Sequence, residues 1–309
     1  MNFEGIIGND KIKKELQENI NTGTISHSYL FVGQEGIGKK KIAEQFAKMI
    51  LCLSEKNKAC NTCSSCIKFN SSNNPDFAEI EPDGNSLKIE QIRSMQERIY
   101  EKPIVSTKKV FIINDSDKMT EPAQNSLLKT LEEPPEYIVI ILITAKENKL
   151  LNTIKSRCLK ISFNNIDYKQ MLEYIEKNQI MQQPSQNILN MCNGSFGKLA
   201  KINESLEEYN QIEKITNDML YGRIGNIVKM FNQFEPLYKS KDIVVDLLDY
   251  MVVIIYNYIK SQEDYRAKYL NLISIIEHTK AKLSSNSNYD MCIDELLLKM
   301  WEEIQNKSH

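Results

Sequence analysis

Residues 28–51, SYLFVGQEGIGKKKIAEQFAKMIL, constrain this chain more than any other stretch, because an apolar run, a glycine-rich turn and an amphipathic helix follow one another directly. The run ending at Val32 reads as a buried strand, and the helix begins near Lys39. Between them, GQEGIGK fits a phosphate cradle. Gly33, Gly36 and Gly38 can turn without a Cβ penalty and aim backbone N–H groups at phosphate oxygens, while Lys39 can reach the β- and γ-phosphates at the positive end of the helix. The pattern G-x-x-x-x-G-K-[ST] next requires a hydroxyl to hold Mg²⁺, and this chain has Lys40 there. A cation cannot ligate a cation. The loop therefore reads as a nucleotide site that has lost part of its metal chemistry.

Such a loop needs an acidic strand end elsewhere, with one carboxylate for Mg²⁺ and a second to activate the attacking water. The apolar run Val110 to Ile113 ends instead in Asn114-Asp115-Ser116-Asp117. Asn114 stands at the metal position and the shorter Asp115 at the water-activating one, while Asp117 reads as a cap on a solvated strand end. Two defects, Lys40 and Asn114, fall on one function. Both argue against magnesium-dependent hydrolysis by this chain.

Around these motifs, apolar strands alternate with helices. Helical periodicity covers 9–21, 39–51, 89–100 and 121–133, the last with Thr120 as N-cap, Pro122 in its first turn and a stop at Pro134-Pro135. Strands are expected at 76–80, 110–113, 138–143 and 159–163. The alternation predicts a parallel sheet covered on both faces. Beyond about residue 165 only helical pattern remains, so the expected organisation is an α/β domain over 1–165, a small helical domain over 166–207 and a helical domain over 208–309. The most apolar segment, 243–259, carries Asp246 and Asp249 and is short of a clean span of about 20 residues, so it reads as a buried helix. The opening residues lack a basic flank followed by an apolar core, so no signal peptide is expected and a cytoplasmic protein is the simple conclusion. A net charge of −2 gives no electrostatic case for autonomous DNA binding, which needs a basic face.

Cys52, Cys60, Cys63 and Cys66 form C-x₇-C-x₂-C-x₂-C within a polar segment, apart from the scattered Cys158, Cys192 and Cys292. Four thiolates fit a tetrahedral Zn²⁺ held from a tight turn or helix start. A shell closed by four protein ligands makes the metal structural. Ser156-Arg157-Cys158 precedes the last strand, and arginine is rare in a chain with far more lysines. A guanidinium can stabilise charge on a neighbour's γ-phosphate, although spacing alone favours a surface or salt-bridged arginine. The segment GSFGKLA at 194–200 opens a helix, for which an ordinary N-cap and glycine turn suffice.

Taken in order, HSYLFVGQEGIGKKKIA, the four-cysteine insert, KVFIINDSDKM, AQNSLLKTLEEPP at 123–135 and TIKSRC at 153–158 resemble bacterial DNA polymerase III clamp-loader subunits of the AAA+ superfamily. The resemblance covers the first 165 residues, extends more weakly to about 207, and rests on length and helical character beyond. It implies an AAA+ P-loop domain with a zinc-binding insert at 52–66, a helical lid and a helical collar through which five subunits form a ring. Motor subunits of that family keep a hydroxyl after the P-loop lysine, an Asp-Glu pair and a second-sensor arginine. Here those places hold Lys40, Asn114-Asp115 and Gly197. Three losses in one direction resemble the delta-prime, or stator, type, in which Arg157 of the intact Ser156-Arg157-Cys158 motif reaches the ATP of an adjoining motor subunit. The cysteine spacing departs by one residue, at Cys52, from the family's C-x₈-C-x₂-C-x₂-C.

The resemblance thus implies a non-hydrolysing subunit with structural zinc and a vestigial phosphate loop at Gly33, Gly36, Gly38 and Lys39. Its partners would be the gamma/tau and delta subunits in a five-membered ring, with the sliding clamp and primed DNA engaged through the complex and no membrane. An ATP-hydrolysing gamma/tau-type motor using Asp115, and a zinc-stabilised scaffold with a silent loop and arginine, are the alternatives.

Overall fold

The computed structural model describes residues 3–55, 58–261, 266–285 and 287–305. The chain divides into two compact units, one comprising 1–174 with 194–197 and the other 175–193 with 198–309.

The first unit holds α1 (Asp10–Thr22), β1 (Ser28–Val32), α2 (Lys39–Leu51), α3 (Ser64–Asn70), β2 (Phe77–Ile80), α4 (Ile89–Ile99), β3 (Lys109–Ile113), α5 (Glu121–Glu132), β4 (Ile138–Thr144), α6 (Asn152–Lys155) and β5 (Leu159–Ser162), and most of α7 (Tyr168–Asn178). The five strands pair in parallel in the order β2-β3-β4-β1-β5. Period-two alternation sorts each strand's side chains between two cores. Tyr29, Phe31, Val139, Ile141 and Ile143 pack with Leu16, Ile42 and Phe46 from α1 and α2. Leu30, Ile138, Ile140 and Leu142 pack with Ile92 and Met95 from α4 and Leu127 and Leu131 from α5. The continuous apolar runs are thus strands buried on both sides, as their composition predicts. At roughly 1.5–3 kcal/mol for each large apolar side chain removed from water, these two cores are the main stabilising term.

Local signals set the boundaries. The Thr120 hydroxyl accepts from the Ala123 N–H, Pro122 lies in the first turn of α5, and the helix ends before Pro134-Pro135. The strand expected from residue 76 begins at Phe77 because Asp76 is used otherwise. Its buried carboxylate accepts the N–H groups of Ile104, Val105 and Ser106, each at 2.7 Å, fixing the segment that leads into β3. Lys109, also buried, donates to the carbonyls of Arg98 at 2.7 Å and Glu101 at 3.0 Å and so closes the carboxyl end of α4.

In the second unit α8 (Gln186–Cys192), α9 (Phe196–Glu204, whose first residues belong to the first unit), α10 (Leu206–Leu220), α11 (Ile227–Gln233), α12 (Glu235–Lys239), α13 (Val244–Ser261), α14 (Arg266–Leu283) and α15 (Tyr289–Gln305) follow one another. The apolar 243–259 segment forms α13, with Leu247, Leu248, Met251, Ile254 and Ile255 buried. Glu213 of α10 joins three helices: one carboxylate oxygen accepts from Ser185 at 2.7 Å and from the Tyr250 hydroxyl, the other from Asn187 at 2.6 Å. Among the described residues no helix is long and apolar enough to cross a membrane.

Asp76→Ala should cost about 3 kcal/mol, because it strips a charged acceptor from three N–H groups at once. Chemical denaturation of the two chains measures the difference, and an unchanged midpoint would contradict this role for Asp76.

Candidate functional site

In a parallel sheet all strands end on the same edge, so the loops after β1, β2, β3 and β4 share one rim. The phosphate-loop residues 33–39 lie there, and Lys39 is turned back onto its own loop. Its ammonium donates to the carbonyls of Gly33 at 2.6 Å and Gln34 at 2.7 Å. Burial holds this ammonium below the usual lysine range, against the pull of Asp115, Glu35 and Asp117.

Lys40 points to the end of β2. Its Nζ lies 2.6 Å from Glu79 Oε1 and 2.7 Å from Glu81 Oε1, and Asn114 donates to the same Glu81 oxygen at 3.4 Å. Partial burial works against the charged form, but the two carboxylates outweigh it and raise the Lys40 pKa above the ordinary value. A permanent cation is therefore anchored by carboxylates where the motif calls for a hydroxyl on Mg²⁺. Asp115 is paired with Lys118 at 2.8 Å. Asp117 is less solvated than its position suggests, since its carboxylate accepts the Thr144 hydroxyl at 2.8 Å and the Ala145 N–H at 3.3 Å, tying the ends of β3 and β4 together.

The segment 194–197 lies backbone to backbone on the loop. The Gly197 N–H donates to the Gly36 carbonyl at 3.1 Å and the Ser195 hydroxyl to the Glu35 carbonyl at 2.9 Å. Gly36 has φ +77°, and a Cβ on it would stand 2.3 Å from Ser195 Oγ and 2.9 Å from Gly197 Cα. A Cβ on Gly197 would meet Gly36 Cα at 2.9 Å. An arginine at 197 would require this contact to open.

Arg157 occupies the opposite rim. Its carbonyl accepts the hydroxyl of Ser28, the first residue of β1, at 2.7 Å, whereas the phosphate loop leaves from the last residue of that strand. At about 3.3 Å per residue the two ends of β1 are roughly 13 Å apart. The guanidinium donates to the Thr153 carbonyl at 2.8 Å and pairs with Glu132 at 2.6 Å. Ser156 bonds back to the Thr153 carbonyl at 3.1 Å, and burial pushes the Cys158 thiol up to about 11.

The four cysteines come together as a third feature. One sulfur from each of Cys52, Cys60, Cys63 and Cys66 lies within 4.8 Å of the others, and Cys52 and Cys63 are 4.0 Å apart. A tetrahedral ion with bonds of about 2.3 Å sets its sulfurs about 3.8 Å apart, so the cluster fits a metal after a small contraction. Cys63 is the N-cap of α3 and accepts the Cys66 N–H at 3.4 Å, while Cys60 accepts the Cys63 N–H at 3.3 Å. Such N–H···S bonds favour thiolates and orient them. The Thr62 hydroxyl and neighbouring N–H groups draw the Cys60 thiol down to about 5, while burial raises that of Cys66 to about 12. These residues can hold one ion with the chemistry of zinc.

Several participants carried weak sequence signals. Glu79 and Glu81 are ordinary acids at a strand end, Glu132 is the first of a Glu-Glu pair before two prolines and Thr144 closes an apolar strand. The unusual Lys40 is the one signal from which nearby carboxylates can be inferred, since a cation at this position needs partners.

Residues 8–167 match the family model described as DNA polymerase III, delta subunit. The chain is 33% identical to DNA polymerase III subunit delta' of Bacillus subtilis, over 75% of this chain and 71% of that protein. The chain belongs to the DNA polymerase III clamp-loader subunit family. Its members include more distant matches: the gamma/tau subunit of Mycoplasma genitalium is 30% identical over 75% of this chain, which spans 39% of that longer protein. A DNA polymerase III gamma subunit-related protein of Thermotoga maritima shares the fold, with TM-score 0.51 and 18% identity over 94% of this chain and 99% of that one. The parallel sheet with its phosphate loop is thus followed by a helical region in a fold shared with that protein, and the chain is a clamp-loader component serving DNA replication.

Gly36→Ala should lower stability by about 2 kcal/mol or more, since the added methyl meets Ser195 and Gly197 in a left-handed backbone. Thermal unfolding reads this, and a neutral result would mean that the loop is not closed by 194–197. Metal analysis should return about one tightly bound divalent ion per chain and almost none in Cys63→Ala. An equal metal content in both chains would count against a four-thiolate site.

Proposed function

We propose that this chain is the delta-prime, stator-type subunit of the clamp loader, without ATP hydrolysis of its own and supplying Arg157 in trans. The observation that carries the reading is the placement of Arg157 and the phosphate loop on opposite rims of one sheet. The arginine is about the length of β1 away from its own loop and partly exposed, so its target belongs to another molecule. The loop itself has Lys40 paired to Glu79 and Glu81, Lys39 turned onto loop carbonyls and 194–197 packed against it. Each of these competes with a nucleotide and its magnesium.

On this reading the chain joins gamma/tau and delta subunits in a five-membered ring in the cytoplasm and supports loading of the sliding clamp onto primed DNA. Residues 166–207 act as the lid, 208–309 as the collar, and Cys52, Cys60, Cys63 and Cys66 hold structural Zn²⁺. A preorganised guanidinium at a neighbour's γ-phosphate is worth about 10³–10⁵ in rate when supplied as an arginine finger. The similarity to gamma/tau subunits favours one second reading, a motor that hydrolyses ATP itself.

The test is the clamp- and primed-DNA-stimulated ATPase of a reconstituted loader. Arg157→Ala should reduce it by about 10²-fold or more, with the lone chain inert. Turnover by the lone chain would favour the motor, and indifference to the substitution would remove the trans role.

A further inference from the structure

We infer that Glu132 is a positioning residue for Arg157, a role that rests on the trans-arginine reading above. Glu132 is the last residue of α5, and its Oε1 lies 2.6 Å from Arg157 Nη2. The other amino group, Nη1, donates to the Thr153 carbonyl at 2.8 Å. These two contacts come from different helices: Glu132 ends α5, and Thr153 is the second residue of the four-residue α6. The Arg157 backbone is fixed independently, by the buried Ser28 hydroxyl on its carbonyl and by its N–H to Ile154 at 3.1 Å. Root and head of the side chain are therefore both anchored. Among the described residues Glu132 is the acidic group within ion-pair distance of this guanidinium.

A planar guanidinium has five N–H donors, so one carboxylate, one carbonyl and the Ser156 hydroxyl at 3.4 Å set its plane and still leave donors for a phosphate. The Arg157 side chain is 33% exposed and that of Glu132 49%. An exposed ion pair of this kind is weak, so it orients the arginine without withholding it from the stronger negative charge of a triphosphate. That weakness decides against a lock that ring assembly must break. A lock would need a buried, multiply bonded carboxylate, as Asp76 is for its own loop.

The experiment measures ATP turnover by the reconstituted loader with clamp and primed DNA, using Glu132→Ala and Glu132→Gln alone and each combined with Arg157→Ala. Loss of an exposed pair predicts a fall in kcat of about fivefold, with KM for ATP and ring assembly by light scattering unchanged. In the Arg157→Ala background neither Glu132 substitution should lower the rate further, because there is no guanidinium left to position. A general structural defect would instead lower the rate in both backgrounds. Unchanged kcat in the Glu132 variants, or a rise in rate, would overturn the positioning role while a drop with Arg157→Ala alone kept the trans arginine. A silent Arg157→Ala would remove the reading beneath it.

Discussion

A parallel sheet must be covered on both faces, because its central strands are apolar on both sides and every crossover needs a helix. In this chain the requirement is met by α1 and α2 on one face and α4 and α5 on the other, which leaves only the two rims of the sheet for chemistry. The carboxyl rim receives the phosphate loop, Lys40, Asn114 and Asp115, and the amino rim receives Arg157. Nothing about either motif alone dictates that separation. It follows from strand direction, since the loop leaves the end of β1 and the arginine enters just before β5, the parallel neighbour of β1.

The same geometry explains why Lys40 is more than a missing ligand. At the position where a hydroxyl would help hold a divalent cation, the chain places an ammonium and gives it Glu79 and Glu81 as partners. An ion pair with this much solvent exposure contributes at most about 1 kcal/mol to stability, so its effect lies in the charge it fixes beside the loop. A second cation brought there would meet repulsion and carboxylates already committed. Lys39 and the 194–197 segment complete the change, because loop carbonyls otherwise left to solvent gain donors from within the chain. The glycine at 197 belongs to this arrangement, since only a residue without a Cβ permits the approach to Gly36.

What could be read from residue order alone followed the range of the forces involved. Strands β1, β3 and β4 and helices α2 and α5 were legible because their apolar runs, periodicity, Thr120 cap and Pro134-Pro135 stop act within a few residues. The cysteine cluster was legible for the same reason, as three of its four members fall within seven residues. By contrast, Glu79 and Glu81 are separated from Lys40 by about forty positions, Thr144 from Asp117 by 27, and Ser195 from Glu35 by 160. Those contacts depend on sheet order, and β2-β3-β4-β1-β5 is not written in any local pattern. Asp117, read locally as a solvated cap, changes meaning once β4 lies beside β3.

The choice of arginine at 157 is itself informative in a chain so rich in lysine. A lysine at this point could pair with Glu132 as a point charge, but it could not direct separate donors to a carboxylate, a carbonyl and a third group in one plane. The structure uses some of those directions internally, toward Glu132, Thr153 and, at 3.4 Å, the Ser156 hydroxyl, and fixes the backbone through Ser28. On the proposed reading, the remaining direction is the functional one. On that reading, a subunit whose loop carbonyls are taken up from within would still set a neighbour's rate, because it would contribute oriented charge.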